Sequence, residues 1–467
     1  MLTYQDLIQV PERDADRMSF VLSVINEHKS SDMYKTAKIA DDYFKKQNTT
    51  IMRYEKMLTT LSGQKVPDKW SANHKVVSGF FKRFVTQQVQ FLLGNGVTWE
   101  NNTDIFGDKF DIRLQSLAKA ALTGGVSFGF WDLDQLRVFK VTEFAPLWDE
   151  NTSALRAGVR WWQIAPNKPL RATLYEEDGF TEYAWNRRDS DTNSLEGEVI
   201  QEKRGYVTNK VSSDIDGTQI VDYTNYPGFP IVPLWGNPEH QSEIVGIREG
   251  IDEYDFIKNG YANDLDNAQV YWIIKGAGGM DDPDLARFLE RLKLTHAAAP
   301  GDGQEVSAQT IQIPYEARQQ LLARVERDLY RDYMALNTED LSSRNATATE
   351  IKAAYEPMSA KADDFEYQVL DFLDGIMAIA GVDDTASFTR SYIINTQEEV
   401  ATVIGAAQFT GAEYTTEKIL TILGDGDKTE EILKQQSADE LSMGGLESRE
   451  AETDEEPTPE ETGEEAI

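Results

Sequence analysis

Two long amphipathic segments on either side of a compact insert restrict this chain to few architectures. From Ser242 to Asn267, and again from Tyr315 to Asn337, apolar side chains recur at every third or fourth position. That spacing places them on one face of an α-helix, so we predict one unbroken helix over each segment, the first roughly 39 Å long. An amphipathic stripe needs a neighbour to cover it. We therefore predict that the chain runs out along the first helix, through an insert over 268–314, and back along the second helix.

A polar break and a third long helix follow this pair. Residues 338–345 (TEDLSSRN) have no apolar period, and Thr347 with Glu350 then forms the capping-box pattern that opens a helix. Pro357 lies inside this third helix. Since proline removes a backbone donor and crowds the preceding turn, we predict a kink at Pro357 and not the end of the helix.

The rest of the chain divides into helical and β-rich regions. Residues 1–125 are predicted to be mainly helical, with a helix from Lys75 to Leu93 that ends at a Gly-Asn-Gly turn. From about residue 126 to Trp235, short β-prone runs alternate with turn clusters, which predicts antiparallel sheet whose tryptophans pack in the core. Short helices are expected up to about residue 446. The sequence therefore predicts the α+β class.

Charge and composition exclude several classes of function. The 467 residues include 80 acidic and 46 basic ones, a formal net charge of -34, so general attraction to nucleic-acid phosphates or anionic lipid is not expected. There is no cysteine, and the four histidines are widely spaced, so we predict no metal site. No phosphate-loop motif is present, and no cofactor is expected. We also expect no signal peptide and no membrane-spanning segment.

Two segments carry a resemblance to a known family. Residues Asn73–Asn101 (NHKVVSGFFKRFVTQQVQFLLGNGVTWEN) combine a helix, a Leu-Gly-Asn turn and a short Val-Thr-Trp strand, and residues Asn345–Val369 (NATATEIKAAYEPMSAKADDFEYQV) follow the polar break. In these motifs and in their order the chain resembles the portal proteins, or head-to-tail connectors, of tailed bacteriophages, particularly the siphovirus type from phages of Gram-positive hosts. Gly96 stands where the family often has proline. The resemblance covers roughly residues 35–445.

The resemblance implies a portal-type fold with named parts. Twelve identical subunits would form a ring around a DNA channel at one vertex of the capsid. The parts are an N-terminal arm (1–30), a wing (31–241 and 346–395), a two-helix stem (242–267 and 315–337), a small α/β clip (268–314), a tunnel loop (338–345), a helical crown (396–446) and an acidic tail (447–467). The tail has ten acidic residues and one arginine and is predicted to be disordered.

The resemblance also implies where DNA passes. The tunnel loop would project four small or polar side chains into the channel: Ser342, Ser343, Arg344 and Asn345. From Ser242 to Asn267 seven acidic residues stand against two basic ones, and twelve copies of such a helix would make a negative wall that lets a polyanion slide. The candidates for that wall are Glu249, Asp252, Glu253, Lys258 and Asp264. The alternative is that these residues are only the solvated face of an amphipathic helix.

The function implied is non-enzymatic. The ring would be the channel for genome packaging and ejection, the nucleus for procapsid assembly with scaffolding and major capsid proteins, and the docking platform for the terminase large subunit and then for a head-completion or adaptor protein. Double-stranded DNA would pass without sequence-specific binding. We expect the protein in the virion, and in the host cytoplasm during assembly.

Two other hypotheses remain open at this point. The chain could be another structural phage protein, such as a minor capsid or baseplate component, although the order of helix, insert, helix, polar break and kinked helix argues against this. It could also be an acidic enzyme with a β-rich catalytic domain. Neither alternative predicts a large closed ring, so the native mass distinguishes them from a portal.

Overall fold

A computed structural model describes most of the chain and divides it into two compact units. The described residues are 2–59, 63–68, 71–101, 106–187, 195–213, 219–266, 271–275, 305–309, 315–339, 348–391, 396–423, 429 and 432–435. One unit comprises Met1–Thr338 with Ala354–Ser391, and the other Glu339–Ala353 with Tyr392–Ile467. The predicted tunnel-loop residues Ser342 to Asn345, most of the clip and the acidic tail lie outside the described residues.

The chain begins with four helices: α1 (Tyr4–Gln9), α2 (Asp14–Ser30), α3 (Asp32–Phe44) and α4 (Thr49–Arg53). A capping box between Thr3 and Asp6 opens α1. Leu7, Val21 and Ile25 are fully buried in a cluster with residues of the neighbouring β-sheet. The segment predicted as an N-terminal arm therefore contributes to a hydrophobic core.

Two helices and short strands complete the N-terminal region: β1 (Met57–Thr59), β2 (Lys65–Pro67), α5 (Phe80–Leu93), β3 (Thr98–Trp99) and α6 (Phe110–Gly124). The predicted end of α5 at Leu93 is confirmed, and Gly96 follows with a φ of 78°, a conformation that favours glycine. The predicted start at Lys75 is wrong, because residues 72–79 have no regular secondary structure, and the N–H groups of Val76 and Ser78 donate to side chains of another helix, described below.

The β-rich region is antiparallel throughout its described strands, as predicted. Its strands are β4 (Val126–Asp132), β5 (Gln135–Lys140), β6 (Phe144–Trp148), β7 (Leu155–Trp162), β8 (Leu170–Glu176), β9 (Gly179–Arg187), β10 (Leu195–Arg204), β11 (Val207–Ser213), β12 (Gln219–Thr224) and β13 (Ile231–Trp235). They form a five-stranded sheet in the order β10-β9-β8-β7-β6, a three-stranded sheet in the order β13-β4-β5, and the hairpin β11-β12. Trp131, Trp161 and Trp185 are buried, which confirms a packing role for these tryptophans.

The helix pair predicted from the periodicity is present with shorter bounds. It consists of α7 (Arg248–Asp266) and α8 (Tyr315–Tyr333), with the antiparallel strands β14 (Tyr271–Lys275) and β15 (Glu305–Gln309) between them. The predicted start of the first helix at Ser242 is wrong, because Gly246 has a φ of 87° and the residues before Arg248 form turns. The second helix ends at Tyr333 and not at Asn337, because Met334 has a φ of 62°.

The C-terminal part contains a very long helix and a helix pair. These elements are α9 (Ala348–Ala380), β16 (Ala386–Ser387), α10 (Thr396–Thr410) and α11 (Ala412–Leu423). The prediction that the third long helix continues through Pro357 is confirmed, whereas the kink itself stays a prediction. Strand β16 pairs with β3. One large core cluster joins α5, α6, α7, α8 and α9, so the α7–α8 pair is packed on the N-terminal helices of its own chain. The α+β class is confirmed.

Candidate functional site

Helices α7 and α8, at the positions of the predicted stem, pack against each other in an antiparallel pair. A Cβ atom at Gly250 would lie 2.9 Å from Leu329 Cδ2, so glycine permits the close approach at one end. At the other end Arg318 Nη1 lies 2.6 Å from Asp264 Oδ2. These two contacts fix the register of the pair.

A segment of backbone without regular secondary structure runs along α7. The backbone N–H groups of His74, Val76 and Ser78 donate to Asn263 Oδ1 at 2.7 Å, Asn259 Oδ1 at 2.8 Å and Asp255 Oδ1 at 2.8 Å. Asn259 Nδ2 also donates to Val76 O at 2.8 Å. Two residues of extended chain advance about 6.7 Å and four residues of helix about 6 Å, so the two periods nearly match over this length. We call residues 74–78 the strap.

A buried carboxylate anchors the strap to α7 and to the loop before α4. Asp255 is fully buried, and its second oxygen accepts from Asn48 Nδ2 at 2.5 Å. Burial raises the pKa of the Asp255 carboxyl above its ordinary value, although the hydrogen bonds from Asn48 and Ser78 act in the opposite direction. Sequence periodicity did not identify this residue, because an acidic side chain on a buried helix face breaks the apolar pattern.

The five residues predicted to line the channel wall differ in their contacts and in their exposure. Asp252 Oδ1 accepts from the Tyr43 hydroxyl at 2.5 Å and its Oδ2 from Thr50 Oγ1 at 2.7 Å, so both oxygens are bonded within the chain. Asp264 is half-buried and paired with Arg318.

The side chains of Glu249, Glu253 and Lys258 are exposed. Neither glutamate has an ion-pair partner among the residues that the structure describes.

A largely buried ion pair joins the segment before α7 to α9. Lys361 Nζ lies 2.5 Å from Glu243 Oε2 and donates to Tyr333 O at 3.2 Å, while Asn237 Nδ2 donates to Glu243 Oε1 at 2.9 Å. The group borders a cleft of about 320 Å³. Burial lowers the pKa of Lys361, with Glu243 opposing that shift, and burial raises the pKa of the Tyr333 phenol. This junction holds three separate segments together.

A second ion-pair group fixes α9 beyond Pro357. Arg390 binds Asp363 and, at 2.7 Å, Glu366. These two carboxylates raise the pKa of the Arg390 guanidinium although burial opposes the shift. Within the described ranges no group of three or more histidine or carboxylate side chains is placed to hold a metal ion. None of the described helices combines the length and the hydropathy that a membrane span needs.

Comparison with known proteins gives consistent results. Residues 24–440 match the family described as "Phage portal protein, SPP1 Gp6-like". A portal protein of Bacillus phage SPP1 is 22% identical over 420 residues, which cover 83% of this chain and 79% of that relative. A portal protein of Clostridium phage phiCD119 is 26% identical over 189 residues, which cover 38% of this chain and 42% of that relative, less than half of its length.

Among solved structures, a chain from the neck of a native gene transfer agent particle, computed with C12 symmetry, is 11% identical with a TM-score of 0.41. The match covers 73% of this chain and 89% of that one. The neck of the empty particle gives the same TM-score. The family match by itself spans most of the chain. On that ground the chain belongs to the SPP1 Gp6-like family of phage portal proteins.

Proposed function

We propose that this portal protein forms a ring of twelve subunits around a DNA channel at one vertex of the capsid. The family is a structural, non-enzymatic class, and the protein is a head-to-tail connector of the virion. The observation that carries the proposal is the stem: an antiparallel helix pair that is connected to the paired strands β14 and β15 and is packed on the core of its own chain. Such a helix pair can pack side by side with copies of itself in a ring.

The proposed ring has a sequence of partners. Scaffolding and major capsid proteins would assemble around it, the terminase large subunit would dock on it for packaging, and a head-completion or adaptor protein would replace the terminase. In the host cytoplasm it would nucleate the procapsid. Double-stranded DNA would pass in both directions, without sequence-specific contacts, because the chain carries a net charge of -34.

We propose fewer residues for the channel wall than the sequence suggested. Asp252 and Asp264 are bonded within the chain, so we leave them out of the wall. Glu249, Glu253 and Lys258 are exposed on the single chain and are available either to the channel or to a neighbouring subunit.

Substitutions in the tunnel loop test directly whether the protein conducts DNA. Replacing Ser342, Ser343, Arg344 and Asn345 by Gly-Ser residues should leave ring assembly intact and impair genome packaging, or retention of the packaged DNA, in a phage complementation assay. The same replacement at residues 451–454 of the acidic tail is the control and should package normally. Normal packaging and retention in the loop variant would contradict the assigned role of the loop.

A further inference from the structure

We propose that the exposed acidic face of α7 binds an exposed arginine face of α8 in a second copy of this chain. The acidic face consists of Glu249 and Glu253 with Phe256, and the arginine face of Arg324, Arg327 and Arg331. The proposal rests on the ring of the previous subsection and names the residues that would hold adjacent stems together. In a ring, each subunit contacts the next subunit through one surface and the previous subunit through another. These two surfaces must therefore be complementary.

The acidic face lies on the side of α7 that the core does not use. Ile251, Asp255 and Asn259 are buried on one side of the helix, and Glu249 and Glu253, four residues apart, lie together on another side. Neither glutamate forms an ion pair within the part of the chain that the structure describes. Both carboxylates are therefore available to a basic partner.

The arginine face lies opposite the buried side of α8. Val325, Leu329 and Tyr333 are buried, whereas the side chains of Arg324 and Arg331 are 79% and 71% exposed. Spacings of three and four residues place Arg327 with them.

Among the described residues, the ion pairs of this arginine face are exposed and lie within α8 itself. Arg324 and Arg331 reach Asp328 on the same helix at 3.8 Å and 3.0 Å, and Arg331 also reaches its neighbour Asp332. Exposed pairs of this kind contribute little and are easily exchanged for a better partner.

The register of the helix pair brings these charges to the same height. Gly250 is level with Leu329, and Asp264 is level with Arg318. We take the ring axis to run along the stem, so that rotation from one copy to the next keeps every residue at its height. By that register Glu249 lies level with about Arg331 of the next copy, and Glu253 with about Arg327. Two acids thus face two arginines in matching order.

Apolar side chains continue the match further along the helices. Phe256 on α7 and Leu321 on α8 are 38% and 42% exposed. The register places them within about one helical turn of each other. Exposed apolar residues beside complementary charges are typical of the centre and rim of a protein interface.

A second copy of the chain suits the arginine face better than DNA does. Arginines lining a channel would hold phosphates and slow a sliding polyanion. The acidic face, in contrast, supplies two carboxylates at the required heights. This assignment takes Glu249 and Glu253 out of the proposed channel wall.

The test is a charge exchange read out by native mass. The first variant combines Glu249→Arg with Glu253→Arg, and the second combines Arg327→Glu with Arg331→Glu. Like charges across an interface are costly, so each variant should raise the protein concentration at half-assembly by about tenfold or more. The four changes together should return it to within about threefold of wild type, because the attraction is restored with reversed polarity.

Control measurements distinguish loss of the interface from loss of folding and from a general effect of charge. Circular dichroism and thermal unfolding show whether each variant folds, and the milder pair Glu249→Gln with Glu253→Gln replaces the first variant if it does not fold. Reversing Glu198 and Glu202 on β10 tests the effect of charge alone and should leave assembly unchanged.

Rings of normal stability in both reversal variants, or no rescue in the combined one, would overturn this interface. Normal rings whose arginine variant alone changes DNA passage would assign the arginine face to the channel instead. Absence of a ring in wild type would overturn the proposed function itself.

Discussion

Asp255 Oδ1 accepts the backbone N–H of Ser78 at 2.8 Å, across 177 residues of sequence. Two asparagines further along α7 accept the N–H groups of His74 and Val76 in the same way. The strap is therefore fixed to α7 largely through its main chain, and the His74 side chain adds a contact, with Nε2 2.5 Å from Asp266 Oδ2. Because the strap leads directly into α5, these bonds connect the stem to the helix that carries much of the core.

Asp255→Asn should alter how stability depends on pH. The folded chain raises the pKa of this carboxyl above its ordinary value of 3.8, so its contribution is fully present below that value and is lost as pH rises through the raised pKa. The asparagine does not titrate. The free energy of unfolding of wild type minus that of the variant should therefore fall as pH rises from about 4. Urea unfolding at one fixed protein concentration measures it.

Asp255→Leu is the matched disruptive variant. It removes both acceptors and leaves Ser78 N–H and Asn48 Nδ2 buried without them, so it should cost about 2–4 kcal/mol. Asparagine should cost much less, because Asn48 Oδ1 has no hydrogen-bond partner within the described residues and can accept the new amide after a flip. Equal losses in both variants would show that the polar contacts do not matter.

Lys361→Met should destabilise the junction of the stem entry with α9. The substitution leaves the largely buried Glu243 carboxylate without its cation, at a cost of about 3 kcal/mol. Adding Glu243→Gln should recover most of that loss. Arg13→Ala, which breaks the exposed pair with Asp16, is the control and should change the free energy of unfolding by less than about 0.5 kcal/mol. Failure of the double variant to recover stability would assign the effect to packing.

Periodicity identified the stem helices but not where they begin. Ile244 and Ile247 continue the apolar pattern of α7 and are buried, yet they lie in turns. The pattern therefore predicted correctly that these residues are buried, but not that they are helical. Val76 fits the pattern of α5 but belongs to the strap, because its N–H bonds to Asn259, far away in sequence. Charge was equally ambiguous: Asp252 and Glu253 are neighbours, and only the fold shows that Tyr43 and Thr50 bind the first.

Gly246→Ala tests the observed start of α7. Gly246 has a φ of 87° with no atom within 4 Å of an added Cβ, so the cost should come from backbone strain alone, about 1–2 kcal/mol. Gly260→Ala, inside α7 and equally open, should instead stabilise the chain by up to about 1 kcal/mol. Chemical denaturation of both variants measures the difference. Stabilisation by Gly246→Ala would indicate that the helix begins earlier.

Deleting residues 447–467 should leave folding and ring formation intact. The segment has ten acidic residues, one arginine and little apolar content, so we expect it to contribute nothing to a core. Its removal takes a formal charge of -9 from each chain. Thermal unfolding and native mass of the truncated protein check this. Loss of the ring on truncation would show that the tail is needed for assembly.

The native mass of the purified protein tests the ring most directly. Twelve chains of 52.7 kDa have a mass of about 632 kDa, and negative-stain images down the particle axis should show a closed ring with a central channel. Mass photometry at micromolar concentration, in low and in moderate salt, gives the mass. We expect a single species near the mass of twelve chains. A monomer or dimer under all of these conditions would contradict the account.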